Sequence, residues 1–341
     1  MKIRILFCFV FIMLSAGSFA QSALGIKTYP FGVNLAGAEF GERMPGVFGE
    51  DYIYPTAGDL DYFKAKGLML MRLPFKWERI QPVLGADLDQ AELERMKKVV
   101  LLAQERNILV LLDMHNYCRR KEKGEYLIIS SEELPALTVA DAWRRLATEF
   151  KDFKNIWGYG LMNEPHDMPS KDTWFTIAQG IIDEIRTVDR QTSIVVAGDS
   201  WSSSLRWPVE SDHLKELRDP SDALIFEAHI YFDHDGSGSY KAAFEKEMAD
   251  DLTGVTRARP FVEWLKKNNK RGFVGEYGVP DNDPRWLNTL NKMLAYLQEN
   301  GENGTYWAAG PWWGNHFMSV QPKNGNEQPQ IKILSRYRFA R

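Results

Sequence analysis

Cysteine is almost missing from this sequence. The chain has 341 residues and two cysteines, Cys8 and Cys118. If the N-terminus is removed, Cys118 stands alone. No disulfide framework and no cysteine-built zinc site is then open to the chain, and its stability must come from a large apolar core. Short repeats, low-complexity stretches and Pro/Ser/Thr-rich linkers are missing as well, which excludes a repeat array and an appended module on a tether. An excess of positive charge is also missing: 42 Lys and Arg stand against 46 Asp and Glu. Nucleic-acid binding needs basic patches, so it is excluded as an expectation. No Gly-x-Gly-x-x-Gly follows an early strand, which removes the commonest dinucleotide site. No Gly-x-Ser-x-Gly elbow is present. Gly198-Asp199-Ser200 matches part of an esterase motif, but that motif needs its serine near the start of the chain. His115, His166, His229 and His316 include no pair spaced i, i+4 and no His-Glu-x-x-His, so no catalytic metal and no cofactor is expected.

Long apolar runs are missing too, apart from one at the N-terminus. Lys2 and Arg4 precede the apolar stretch Ile5–Leu14, the small residues Ser15, Ala16 and Gly17, and a small-x-small Ser18-Phe19-Ala20. The stretch falls short of the roughly 20 residues that span a bilayer. It predicts a signal peptide over residues 1–20, cut before Gln21, and a secreted or periplasmic protein with no membrane association after cleavage. Without Lys2 and Arg4 the charge is 40 positive against 46 negative, or −6, which suits a neutral polymer better than a polyanion.

What the sequence does hold is a regular alternation. Apolar runs occur at Phe31–Leu35, Leu68–Leu73, Ile108–Met114, Ile156–Met162, Ser193–Ala197, Leu224–Ile230, Gly272–Glu276 and Gly304–Ala308. They are nearly continuous, as strands buried on both faces must be. Between them lie stripes of helical period, including Leu93, Met96, Val100 and Ala103; Trp174, Ile177, Ala178, Ile181, Ile182, Ile185 and Val188; and Trp286, Leu287, Leu290, Met293, Leu294 and Leu297. Asp172 is placed as the N-cap of the second of these helices. Eight strands alternating with helices predict an α/β fold, a single (β/α)8 TIM barrel over residues 21–341.

In such a barrel, chemistry sits where the strands end. Those ends carry Arg72, Asp113-Met114-His115-Asn116, Asn163-Glu164-Pro165, His229-Ile230-Tyr231, Glu276-Tyr277-Gly278 and Trp307. Closing the barrel gathers them into one ring. Two carboxylates at two strand ends suggest glycoside hydrolysis, which needs a proton donor and a second carboxylate at the anomeric carbon. Thirteen per cent of the chain is aromatic, with 11 Trp. Trp201, Trp207, Trp312 and Trp313 are candidate platforms for sugar faces, Trp201 and Trp312 the favoured two. The segment His234–Tyr240 is expected to be a mobile loop above the sixth strand, and Arg119–Lys123 a solvated surface loop.

With those residues in that order, the chain resembles glycoside hydrolase family 5 over roughly residues 31 to 314. Gly32-Val33-Asn34-Leu35-Ala36-Gly37, Asp113-Met114-His115-Asn116-Tyr117 and Trp307-Ala308-Ala309-Gly310-Pro311-Trp312-Trp313-Gly314 are similar to its endo-β-1,4-glucanase branch. The resemblance implies a retaining hydrolase of β-glucan polysaccharides or oligosaccharides, with Glu164 as acid/base and Glu276 as nucleophile. It implies that Arg72 and Tyr231 contact Glu276, that Asn163 meets the sugar 2-hydroxyl, and that His115 and His229 orient the group. Trp307 would form the floor of the cleaved-sugar site, with Tyr117, Trp201 and Trp312 binding further units. A monomer is expected. A β-1,4-mannanase, a xyloglucanase and a non-catalytic carbohydrate-binding barrel are the alternatives.

Overall fold

The computed structural model describes residues 30–337; the predicted signal peptide lies outside them. Among the described residues are ten strands: β1 (Gly32–Leu35), β2 (Leu70–Phe75), β3 (Leu109–Met114), β4 (Arg119–Glu122), β5 (Glu125–Ile128), β6 (Ile156–Gly160), β7 (Ser193–Ala197), β8 (Leu224–Tyr231), β9 (Gly272–Gly278) and β10 (Gly304–Ala309). Eight of them close a parallel barrel in the order β1-β10-β9-β8-β7-β6-β3-β2. All eight apolar runs of the sequence are strands of this barrel. Helices cover the outside, the longest being Gln90–Glu105, Ala136–Phe150, Lys171–Arg186, Thr253–Asn268 and Pro284–Glu299. Between β7 and β8 the cover is reduced to short helical turns, Trp207–Glu210 and Asp212–Glu216. No described helix is long and apolar enough to cross a membrane.

Alternation along each strand sorts its residues into two layers. Outward residues such as Leu112, Ile194, Phe226 and Val274 pack under the helices. Inward residues at the lower end, Leu70, Leu111, Trp157, Val195, Ile225 and Phe273, form a small apolar plug inside the barrel. Two residues further up the same inward faces come Arg72, Asp113 and Glu227. The barrel interior is therefore apolar at its base and charged at its top.

Gly275 makes one part of this possible. Ala228 of β8 pairs with Val274, whereas His229 pairs with Glu276, so β9 carries one extra residue at that point. This bulge resets the alternation and turns Glu276 inward. A Cβ at Gly275 would lie 1.7 Å from the Glu227 carboxylate, so only glycine leaves room for it.

Three local expectations are corrected. Arg119–Lys123 is no solvated loop: β4 and β5 form an antiparallel hairpin turning at Lys123-Gly124, both with positive φ. Arg120 is buried, lies 4.6 Å from the Trp77 ring and donates to the Gln81 carbonyl at 2.7 Å. The cap of helix Lys171–Arg186 is Ser170, which exchanges bonds with Thr173. Asp172 sits in the first turn, where its charge suits the helix dipole. Trp207 is fully buried against Phe261 and Trp264, so it is core and offers no face to a sugar.

Candidate active site

Arg72 is the hub. It is fully buried, and its guanidinium donates to the Asn34 amide oxygen at 2.8 Å, the Asn163 amide oxygen at 2.7 Å and Glu276 Oε1 at 3.1 Å. Its nitrogens also stand 3.1 Å from Asp113 Oδ1 and 3.0 Å from Glu227 Oε1. Burial alone would lower its pKa, but Asp113, Glu227, Glu276 and Glu164 more than reverse that, so the cation is held firmly. The crowd of carboxylates divides unequally. Burial pushes Asp113 up to about 7 in spite of Arg72, helped by the Glu227 charge. Glu227 is as deeply buried, but Arg72 and His229 together bring its pKa below the usual value.

The hydrogen bonds fix the orientation of Asn163 and the state of His115. Arg72 holds the Asn163 oxygen, so the Asn163 NH2 faces His115 Nε2 at 3.3 Å. That nitrogen must accept, and the Tyr117 hydroxyl lies 3.1 Å from it. The proton is then on Nδ1, 2.8 Å from Asp113 Oδ2. His115 is thus neutral, in line with a pKa that burial carries well below the ordinary histidine value. Trp307 stacks on its ring, 5.4 Å between centroids and 11° from parallel.

His229 has the opposite character. Nδ1 is 2.6 Å from Glu164 Oε1 and 3.6 Å from Glu276 Oε2, and Nε2 is 3.3 Å from Glu227 Oε1. Burial pushes its pKa down, but the Glu276 charge, the hydrogen bonds with Glu164 and Glu227, and the Glu164 charge lift it to about 10. A carboxylate oxygen thus faces each ring nitrogen, the arrangement that favours the cation.

Glu164, in the segment that follows β6, and Glu276, in β9, are far apart in sequence and meet here. One oxygen of each, with a His229 nitrogen, lie within 4.8 Å of one another. That spacing could hold a cation, but each His229 nitrogen is already engaged by a carboxylate oxygen, Nδ1 by Glu164 and Nε2 by Glu227. The two carboxylates have different settings. Glu276 receives Arg72 on one oxygen and the Tyr231 hydroxyl on the other at 2.7 Å. Burial and the charges of Glu276 and Glu164 raise the Tyr231 pKa well above normal, so it stays a donor. Glu164 has the less buried side chain of the pair and a left-handed backbone, φ +44°.

A cavity of about 450 Å³ opens beside Glu164, walled by Trp201, Leu205, His229, Tyr231 and Ser237 among others. Trp201 is 39% exposed and stacks on His166, 4.5 Å away and 10° from parallel. Trp312 is 38% exposed on the turn after β10 and is not in these walls. Trp313 is half-buried, edge-on to Trp307 at 5.8 Å and Phe40 at 5.0 Å. The segment His234–Tyr240 borders the cavity and winds round the buried Asp233, whose carboxylate accepts from the Gly238, Ser239 and Tyr240 amides. Sequence reasoning left out Asn34 and Glu227 as site residues. Asn34 was signalled as the lone polar residue of an apolar strand, and Glu227 as an acid two residues before His229 on the same face of β8.

An eight-stranded barrel with two facing carboxylates among these groups defines a glycoside hydrolase. A profile of the cellulase family, glycosyl hydrolase family 5, matches residues 27–312. Endo-β-1,4-glucanase B of Aspergillus niger is 33% identical over 312 residues, 90% of this chain and 89% of the relative. Endoglucanase Cel5A of Pseudomonas stutzeri, solved with cellobiose, is 40% identical over 91% of this chain and 92% of its own, with a TM-score of 0.86. An endo-β-1,4-glucanase of Xanthomonas axonopodis pv. citri is 39% identical over 91% and 99%, with a TM-score of 0.84. The chain belongs to glycosyl hydrolase family 5.

Proposed function

We propose that this chain is a retaining endo-β-1,4-glucanase that cuts cellulose or a related β-glucan by double displacement, with Glu276 as nucleophile and Glu164 as acid/base. The observation that carries this is the approach of the two carboxylates to within 4.8 Å. Retaining enzymes keep the two groups about 5–5.5 Å apart, and about 6.5–9.5 Å is needed to admit the water of an inverting one. Their unequal settings support the division of roles. Glu276, with Arg72 donating to one oxygen and the Tyr231 hydroxyl to the other, is braced and aimed, as an attacking carboxylate must be. Glu164 borders the open cavity, where a leaving chain would sit.

In the first step Glu276 forms a bond to the anomeric carbon while the glycosidic bond breaks and its oxygen takes the Glu164 proton. In the second, Glu164 removes a proton from water, the water oxygen bonds to the anomeric carbon, and Glu276 leaves. Asn163, clamped by Arg72, is placed for the sugar 2-hydroxyl. Trp307 serves as the floor beneath the cleaved unit, and Tyr117, Trp201 and Trp312 bind further glucose units. Acid, base and nucleophile all come from side chains. We read residues 1–20 as an export signal and residues 21–341 as the catalytic domain acting as a monomer; N-terminal sequencing of the exported protein tests the cut before Gln21.

The test is reducing-sugar release from carboxymethylcellulose by the native protein beside Glu276→Gln. Strong release that the substitution abolishes supports the reading. Faster release from galactomannan or xyloglucan moves the substrate to those backbones. Binding of cello-oligosaccharides without any product overturns catalysis.

A further inference from the structure

The double displacement uses one carboxylic acid, Glu164, but its oxygen shares a short hydrogen bond with a histidine that three carboxylates surround. The third carboxylate, Glu227, touches neither the nucleophile nor any position open to a sugar. It is buried inside β8, two residues before His229 on the same inward face. Its Oε1 stands between Arg72 Nε at 3.0 Å and His229 Nε2 at 3.3 Å, and Gly275 lacks a side chain where the carboxylate lies. His229 Nδ1 then points at Glu164 Oε1 at 2.6 Å. A carboxylate, an imidazole and the acid/base form one line.

We propose that Glu227 is a positioning residue that stores the catalytic proton: by pairing with His229 Nε2 it keeps the ring doubly protonated, and His229 supplies the proton that Glu164 delivers. When the glycosidic oxygen takes the Glu164 proton, the His229 Nδ1 proton moves to Glu164 and the ring becomes neutral, keeping its Nε2 proton on Glu227. In the second step the Glu164 Oε1 proton returns to Nδ1 as Glu164 takes a proton from water, so the acid and the ring cation are both restored. No proton is gained or lost over the cycle, and Glu227 stays a carboxylate throughout.

The other charges around the ring do not take over this role. Arg72 on β2 is a fixed cation that opposes protonation of His229. Asp113 on β3 and His115 just after it are paired with each other, with Lys76 donating to the His115 carbonyl at 2.6 Å. Glu276 on β9 favours the ring cation only until it becomes a neutral ester in the first step. Tyr231, on the ring's own strand, stays un-ionised. Glu227 is the carboxylate whose charge faces His229 through every step. Glu164 and His229 are joined by one hydrogen bond, so a change in the ring's charge acts on the acid/base directly.

The inference rests on the glucanase reading, and the test separates the two. The basic limb of kcat/KM is measured from about pH 4 to about pH 9 with cellopentaose, whose leaving hydroxyl needs a proton, and with 2,4-dinitrophenyl β-cellobioside, whose phenolate does not. No cleavage of either substrate by the native enzyme overturns the glucanase reading itself. With an active native enzyme, Glu227→Gln should shift the limb downward by roughly one to two pH units for cellopentaose, leave it in place for the dinitrophenyl substrate, and be reversed in part by Glu227→Asp. A limb that does not move, or moves equally for both substrates, overturns the inference. If Glu227→Gln does not fold, 15N NMR of histidine-labelled native enzyme decides. Two protonated His229 nitrogens at pH 8 support the proposal, and a neutral ring at pH 7 overturns it.

Discussion

The guanidinium of Arg72 donates to the amide oxygen of Asn163 at 2.7 Å. That one bond sets which way the amide faces, and with it the neutral state of His115 and its bond to Asp113. A site of this kind is built by passing orientation from group to group, starting from a cation that cannot lose its proton.

The dependence on Arg72 can be measured. Arg72→Met leaves Asp113, Glu227 and Glu276 buried without their common cation. Breaking a buried ion pair from one side costs about 3–5 kcal/mol. We expect a loss of that order in urea unfolding at pH 7, together with loss of glucanase activity. A variant as stable as the native protein would mean that water or the remaining hydrogen bonds neutralise the cluster unaided.

Trp201 and Trp207 make a paired test of platform against core. Trp201→Ala removes an exposed ring beside Glu164 and should raise KM for cellopentaose about 2–10-fold, the effect of one aromatic contact, with an unchanged melting temperature. Trp207→Ala empties a buried site and should cost about 3–5 kcal/mol of stability with little change in KM. Binding measured by calorimetry and unfolding measured in parallel distinguish the two.

That pair also shows what a sequence can display. Both residues are tryptophans near a strand end, and only the tertiary fold buries one of them. The barrel strands were legible because burial on both faces leaves almost no polar residue in runs such as Leu109–Met114. The polar residues ending those runs were legible because they break the pattern. Glu227 was harder to see, since one acid within Leu224–Tyr231 is a weak signal until its inward neighbours are known. The bulge at Gly275 is set by pairing with β8 and leaves no mark in β9 alone. The hairpin of β4 and β5 was hidden by its charges: Arg120 is buried by stacking and hydrogen bonding, so it carries no apolar alternation.

Acid should weaken the fold at Arg186 and Asp219. Their side chains are 4% and 1% exposed, with Nε–Oδ1 at 2.7 Å and Nη2–Oδ2 at 3.0 Å. Burial works against the Asp219 carboxylate, but Arg186 and the Ser221 and Ala223 amides lower its pKa below normal. A depressed folded pKa gives stability that is present above the unfolded value, about 3.9, and lost as pH falls through the folded one. Asp219→Asn should therefore cost on the order of 3 kcal/mol at pH 7, and the gap to the native protein should close below about pH 4. A gap independent of pH would place the loss in packing.

Glu302 should show the reverse sign. It lies two residues before β10, at the base of the barrel, with its carboxylate beside Gly272. Burial raises its pKa to about 7, and the Lys266 charge only partly opposes this. The folded state then holds the proton more tightly than the unfolded chain, whose value is about 4.3. Stability must fall as pH rises between those two values. Glu302→Gln keeps the shape and removes the titration. It should match the native protein near pH 4, gain through the interval, and reach a plateau on the order of 1–2 kcal/mol above about pH 7. Urea midpoints of both proteins across that range give the difference curve directly. A flat curve would mean that Glu302 titrates alike in both states, with water reaching its carboxylate in the folded barrel.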